Sequence, residues 1–285
     1  WIEVDTGSIA ARFNKQGSKL IAELRHGARV VCSKGALVGY RQERSETAGV
    51  ESRKTVPFES RIARAELEQS GPVRTVVKLT GRHRLAGGSR EWLPFTGRFY
   101  LYAGHHGIKV VHTFLYDGNP HQDFVQGIGL SFQVPMEGPL YNRYVRFAGD
   151  TGFFIESPKG LMNWRLSEKV EALYKKQLRG EPVAFDAEED AKFLGILDDS
   201  AVWDSFKLVQ LSADSYAVSK RTSEACSWVK AVNGRRARGL VYAGSANGGL
   251  AVGVRNFWRK HPSALEAAHM SKEEAVVTAW LWSPD

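Results

Sequence analysis

Cysteine is scarce, with Cys32 and Cys226 the only two in 285 residues. They lie far apart and outside any metal-ligand spacing, so a disulfide framework is excluded; two buried thiols are expected, with one disulfide as the alternative. No apolar run approaches the ~20 residues that a membrane-spanning helix needs. Neither H-x-H nor H-E-x-x-H occurs, and His105 and His106, adjacent in a turn, cannot both face one ion from a regular strand. The carboxylates between 186 and 199 lack calcium-loop spacing. No metal and no cofactor are therefore expected. A G-x-S-x-G elbow, a phosphate loop and a dinucleotide fingerprint are all missing, and Gly244 to Gly249 reads as a turn between two strands. No fixed-period repeat appears, and the helical segments that a parallel βαβ pattern needs between strands are absent.

What is present fits a globular β-protein. Hydrophobic residues make up 43% and charged residues 25%, and the 11% of aromatics includes 8 Trp, 9 Tyr and 14 Phe. Such aromatic content suits sheets, and also surfaces that stack on sugar rings or bases. The net charge of +8 points to an acidic partner, nucleic acid or anionic polysaccharide, or to solubility alone. No nucleic-acid motif is present and the charge is spread over the chain, which argues against nucleic acid. The chain opens on the strand-like Trp1-Ile2-Glu3-Val4-Asp5 without an initiator Met, so an excised or processed piece of a larger protein is expected.

The stretch from Arg98 to Asn119 organises the rest. It predicts two strands around a turn at Gly104 to Gly107, at the centre of a large sheet. From Ile108 to Tyr116, alternation puts Ile108, Val110, His112, Phe114 and Tyr116 on one face. His112 and Tyr116 therefore point the same way, and Asp117-Gly118-Asn119-Pro120 closes the strand in a turn. Long strands flank this pair, at 60–69, 73–83, 91–102 and 124–134. Shorter ones occupy 9–13, 20–24, 28–31, 36–40, 140–148, 206–212, 216–221, 228–232, 239–244, 249–256 and 275–282. The polar segment 43–56 reads as a surface loop or weak edge strand. One helix is predicted at 167–177, capped by Ser167 with Val170, Leu173 and Tyr174 as its apolar stripe. The acidic segment 181–204 reads as an exposed connection. No linker divides the chain, so residues 1–285 read as a single all-β domain of stacked antiparallel sheets with one short peripheral helix.

Basic and aromatic residues gather at several places: Asn142, Arg143 and Arg146 with Tyr144; Lys220 and Arg221; Arg235, Arg236 and Arg238; Arg255 and Arg259 with Trp258. Each cluster alone is ordinarily a solvated surface, and His112 alone is ordinarily a core histidine. Together they offer cations for carboxylates and aromatic faces for sugars.

The ordered segments V-D-T-G, H-T-F-L-Y-D-G-N, F-V-Q-G-I-G-L-S-F, N-R-Y-V-R-F-A-G, K-R-T, G-R-R-A-R-G-L, G-G-L-A-V-G-V-R-N-F-W and W-L-W-S-P run from Val4 to Pro284. They resemble the exo-rhamnogalacturonan lyase and YetA-like family, in its central β-sandwich portion. The resemblance implies a large antiparallel β-supersandwich of the galactose mutarotase type. It also implies a smaller N-terminal β-domain and a C-terminal α-helical toroid in the parent chain, which is expected to be extracellular or periplasmic. The chemistry implied is β-elimination on an acidic, rhamnose-containing glycan such as rhamnogalacturonan or ulvan. That reaction needs a cation on the uronate carboxylate, a base for the C5 proton and an acid for the leaving oxygen. On residue type the catalytic candidates are His112 as base and Tyr116 as acid, with Arg143 or Arg255 on the carboxylate and Lys220 as a further catalytic candidate. Asn142, Tyr144, Arg146, Arg221 and Trp258 are the substrate-binding candidates, with Trp258 as a stacking platform. A non-catalytic carbohydrate-binding or scaffold domain is the alternative.

Overall fold

The structure, a computed structural model, describes residues 1–47, 50–85, 87–161 and 167–285, with the side chains of 44–47 and 50–53 left aside. The chain clusters into two compact units, Trp1–Gln133 with Trp280–Pro284, and Val134–Ala279 with Asp285.

The first unit is built from β1 (Ile2–Asp5), β2 (Ala10–Phe13), β3 (Lys19–His26), β4 (Arg29–Thr47), β5 (Val50–Gln69), β6 (Arg74–Leu85), β7 (Glu91–Tyr102), β8 (Ile108–Phe114) and β9 (Phe124–Pro135). β4 pairs first with β3 and then, along the same edge, with β5, while β9 takes its other edge. β6, β7 and β8 follow β5 in antiparallel order. The change of partner comes between Ala36 and Val38, just past Lys34-Gly35, where the sequence suggested a turn between two short strands. Lys34 has φ 52, and both neighbouring registers shift there. A β-bulge therefore bends one long strand instead of ending it. A Cβ on Gly35 would lie 3.0 Å from the Ile21 Cβ and the Phe132 ring, so glycine is what lets the layers close.

Burial follows the two-residue period. On β7, Phe95, Gly97, Phe99 and Leu101 face inward while Thr96, Arg98, Tyr100 and Tyr102 face out. Phe13 of β2 packs at a tilt against Phe99, with 4.9 Å between ring centroids, tying β2 to β7. Each such fully buried side chain contributes about 2 kcal/mol of apolar burial. A second cluster of Phe58, Trp92, Leu93 and Ile128 is extended by Leu85, Val125 and Leu281.

Two expectations for this unit change. β8 pairs only with β7 and stands at the edge of the sheet rather than its centre, and it ends at Phe114, two residues short of Tyr116. Of the segment 43–56, residues 48 and 49 lie outside the described residues; 43–47 and 50–56 are not a loop but the outer, two-stranded arm of β4 and β5, paired only with each other out to Thr47 and Val50.

The second unit contains two sheets. One has the order β14 (Val229–Gly234), β13 (Ser215–Arg221), β12 (Ser205–Ser212), β17 (Ser263–Ala268), β18 (Glu274–Trp282); the other is β11 (Phe153–Glu156), β10 (Arg143–Ala148), β15 (Leu240–Ser245), β16 (Gly248–Gly253). Phe147, Phe154 and Ile155 of the second sheet and Leu208, Tyr216, Val218 and Val232 of the first line a common apolar pocket of ≈ 400 Å³. β11 and β17 carry little sequence signal. β17 reads S-A-L-E-A-A, and alanine is a poor strand former that only tertiary packing overrides.

The predicted helix is α1 (Glu168–Leu178), with Ser167 Oγ accepting from Val170 N at 3.3 Å. A second helix, α2 (Ala191–Asp199), lies inside the segment expected to be an exposed connection. Its Phe193, Leu194 and Leu197 pack with Leu161, Val183, Leu173 and Tyr174, so an apolar stripe hidden among carboxylates drives it inward. Buried Gln177 ties the layer together, accepting from Leu161 N and donating to the carbonyls of Tyr141 and Lys159. The all-β class holds, with two short α-helices instead of one among the described residues. Both cysteines are free; Cys32 is buried, and Cys226, expected to be buried, is exposed beside Ser223.

Gly39 provides a test of the first unit's packing. A Cβ there would lie 2.1 Å from the Phe58 ring opposite and 2.7 Å from the Gly127 carbonyl oxygen. Gly39→Ala is expected to cost about 2 kcal/mol in urea unfolding. Gly107→Ala, at a site with nothing within 4 Å, should leave the midpoint unchanged.

Candidate functional site

One strained residue positions the candidate site. Between Gly81 and His83 the β6–β7 register slips, and the extra β7 residue is Leu93, fully buried at φ 44. A left-handed leucine, here also preceding Pro94, persists only where its surroundings hold it. Its N–H donates to Asp117 Oδ1 at 2.7 Å, and its carbonyl lies 2.7 Å from His83 Nδ1. The other Asp117 oxygen is paired with Arg82. The D-G-N segment that reads as a simple turn is thus also an anchor.

Beside this bulge the first unit carries a cleft of ≈ 680 Å³. Phe114, Tyr116, Phe124 and Trp282 give it aromatic walls, and His112, Gln42, Gln126 and Asp123 give it polar groups. The packed residues Ile128, Val125 and Leu281 form part of its lining. His112 and Tyr116 both line it, although β8 stops before Tyr116. Tyr116 Oη donates to the Asp123 carbonyl oxygen at 2.8 Å, which fixes the phenol at the rim.

Asp123 is the electrostatic centre of the cleft. Arg90 donates to both carboxylate oxygens at 2.9 and 2.5 Å, Asn119 N–H donates at 2.7 Å, and Arg41 lies at 3.5 Å. Burial pushes this carboxyl up, but Arg90, the Asn119 amide and Arg41 together outweigh it and hold the pKa below its usual value. Arg90 remains half exposed with three of its five N–H groups unused by Asp123. His112 behaves differently. Burial, with the neighbouring His83 imidazole adding to it, pushes its pKa down to about 4, so the ring is neutral at pH 7. Its Nε2 is sealed from solvent, while the ring as a whole is part of the cleft lining.

The remaining sequence candidates lie in the second unit, where most of their polar atoms are occupied. Arg143 donates to the carbonyls of Gly138 and Lys272 at 3.1 and 2.6 Å. Asn142 makes a two-way pair with the Val183 backbone, Tyr144 Oη donates to Glu181 O at 2.7 Å, and Arg146 donates to Gly180 O at 3.2 Å. The structure therefore gathers Asn142, Tyr144 and Arg146 around residues 180–183. Burial raises Tyr144 to about 12, so its proton is held firmly. Lys220 is paired with Glu156 and sits 4.0 Å from the Trp203 ring centre, and burial raises the Glu156 carboxyl against the opposing effect of Lys220. Arg221 stacks on Trp228 at 4.5 Å. Trp258 is flanked by Arg236 and Arg259 at 4.5 and 5.0 Å, while Arg255 is exposed. Sequence reasoning passed over Arg90, Asp123, Gln42, Gln126 and His83, which the bulged β6–β7 register, the β4–β9 pairing and the turn after β8 bring together. Trp282, in the W-L-W-S-P segment, was the one with a visible signal. Among the described residues no three His, Cys, Asp or Glu side chains are grouped to hold a metal, and no helix is long and apolar enough to cross a membrane.

Comparison with known proteins agrees with this architecture. The uncharacterized protein YetA of Bacillus subtilis (strain 168) is 42% identical over 287 aligned residues, covering all of this chain and 33% of that protein. The chain thus spans one third of the length of that curated relative. A family model described as the PcRGLX-like protein central beta sandwich domain matches residues 1–285, and the chain belongs to that family.

Proposed function

We propose that this chain is the glycan-handling β-sandwich of a polysaccharide lyase, acting on an acidic, rhamnose-containing glycan of the rhamnogalacturonan type. The observation that carries the reading is the placement of His112 and Tyr116 on one cleft, together with the partly exposed Arg90 guanidinium bonded to Asp123, another of its lining residues. Aromatic walls suit the apolar faces of sugar rings, and the Gln42 and Gln126 amides suit their hydroxyls. In this reading Arg90 binds the uronate carboxylate and makes the C5 proton acidic. The His112 imidazole takes that proton, the C–H electron pair becomes the C4=C5 double bond, and the C4–O bond breaks. The leaving oxygen takes the Tyr116 proton, as Tyr116 exchanges its bond to the Asp123 carbonyl for one to the glycosidic oxygen. Flanking segments of a longer parent, a smaller β-domain before and a helical toroid after, complete the substrate path.

A second reading is glycan binding without turnover. It is favoured by the low His112 pKa of about 4, because so weak a base takes a carbon-bound proton poorly unless the bound uronate raises it.

The deciding experiment incubates the full-length parent protein with rhamnogalacturonan and follows ultraviolet absorbance of the unsaturated uronate. Absorbance growth lost by about 10²–10⁴-fold in His112→Ala and in Tyr116→Phe supports the lyase reading. Binding without absorbance on any uronate polymer supports the second. The pH profile adds an independent check. The base must be unprotonated, so kcat/KM should fall only as pH drops through about 4, not 6.5. The acid limb of kcat should lie higher, because bound uronate stabilises the imidazolium.

A further inference from the structure

The alternation of β6 turns His83 inward and Arg82 outward, and on the outward side a groove of ≈ 840 Å³ opens in the first unit. Lys15, Gln16, Arg61, Ala63, Arg82 and Glu91 line it. Its shape follows from the pairing. β4 leaves β5 beyond the Val38–Glu59 pair, and the turn between β2 and β3 takes that edge, with Ile62 N–H donating to the Gly17 carbonyl at 2.9 Å. Toward β6, Ala63 is the extra residue of a bulge between Ile62 and Arg64. Gly81 admits it, since a Cβ there would lie 2.0 Å from the Arg61 carbonyl oxygen. At Ala63 the groove therefore carries only a methyl group, and basic side chains flank it.

This geometry concentrates charge. Arg61 and Arg82 stand directly opposite each other in the β5–β6 register, which costs stability between like charges unless anions attend them. Glu91 accepts one N–H of Arg61 at 3.2 Å, and Asp117 accepts one of Arg82. Most of each five-donor fork stays free. Lys15 has no carboxylate partner among the described residues. The Arg61–Glu91 pair is solvent-exposed, so little stability is lost when a ligand recruits the guanidinium.

We propose that this groove is a second binding site for acidic glycan, separate from the cleft, and that it takes a uronate carboxylate among Arg61, Arg82 and Lys15. Guanidinium forks match a planar carboxylate, while the Gln16 amide and the Glu91 carboxylate suit the hydroxyls of the same sugar. Two features favour a glycan over a nucleic acid. Among the described residues no aromatic ring lines the groove for a base to stack on, and Glu91 with Asp117 repels a chain that carries a phosphate on every residue. In a rhamnose-containing glycan, uncharged rings dilute that repulsion. The choice of a uronate glycan rests on the lyase reading; the charge arrangement does not.

Affinity electrophoresis of the full-length parent protein in gels containing rhamnogalacturonan tests this, in a His112→Ala background so that the polymer is not consumed. Lys15→Gln combined with Arg61→Gln should weaken the apparent Kd about tenfold, the scale of one charge-assisted hydrogen bond. Ala63→Glu, which sets a carboxylate at the methyl position, should weaken it as much. Lys192→Gln combined with Lys230→Gln removes the same charge from exposed positions elsewhere and should leave retention unchanged. Methyl-esterified rhamnogalacturonan, lacking free carboxylates, should erase the difference between the groove variants and their parent. Absent retention, equal losses in the groove and control variants, or a difference that survives esterification overturns the proposal. So does single-stranded DNA that binds the groove more tightly than the glycan at equal ionic strength. Groove-dependent binding in a parent protein without eliminase activity upholds this site and removes the lyase reading; eliminase activity with retention indifferent to both groove variants does the reverse.

Discussion

The clamp on Leu93 is the constraint around which the cleft is arranged. A buried leucine at φ 44 is unfavourable by roughly 1–3 kcal/mol, and its backbone groups cannot be satisfied by the regular ladder at a bulge. Asp117 and His83 supply the missing partners from opposite directions, one from the turn after β8 and one from β6. Both side chains are thereby fixed by the same strained peptide. The turn that presents Asp117 continues into Asn119 and Asp123, and Asp123 collects Arg90, Arg41 and the Tyr116 hydroxyl. One local distortion therefore sets the places of the imidazoles and, through a few residues of chain, of the carboxylate network.

The cations of the second unit show a different economy. Lys207, Lys220, Arg221, Arg236 and Arg259 all lie within about 5 Å of tryptophan ring centres, and Arg143 and Arg146 reach backbone carbonyls. Such contacts add to carboxylate pairing, which Lys207, Lys220 and Arg236 also have with Asp285, Glu156 and Asp214, since a ring face and a carbonyl oxygen are both electron-rich. The net positive charge of the chain therefore does not translate into one open anion-binding stripe.

Much of the fold was legible because alternation is a local property. The β7 bounds and the Ser167 cap follow from spacing alone, and parity put His112 and Tyr116 on one face, both of which line the cleft even though β8 ends at Phe114. What local pattern could not convey is which strand lies beside which. β8 is apolar enough to read as a central strand yet has only one neighbour, and the alanines of β17 hide a strand paired along β12. α2 was masked by charge, because eight carboxylates are spread through residues 181–204 while the apolar residues of the helix gather on the face that packs. The site was less legible still. Arg90, Asp123 and His83 lie in unremarkable sequence and become a group only through the bulged β6–β7 register and the turn after β8.

The two cysteines are chemically unequal, and that has a practical side. Burial lifts the Cys32 thiol to about 12, while the Ser223 and Thr222 hydroxyls and Arg221 lower the exposed Cys226 thiol. Because the thiolate is the reacting species, alkylating reagents at neutral pH find a single sulfur in the native chain. A fluorophore or spin label can be attached to Cys226 without engineering, giving a spectroscopic address in the second unit that leaves every group of the cleft untouched.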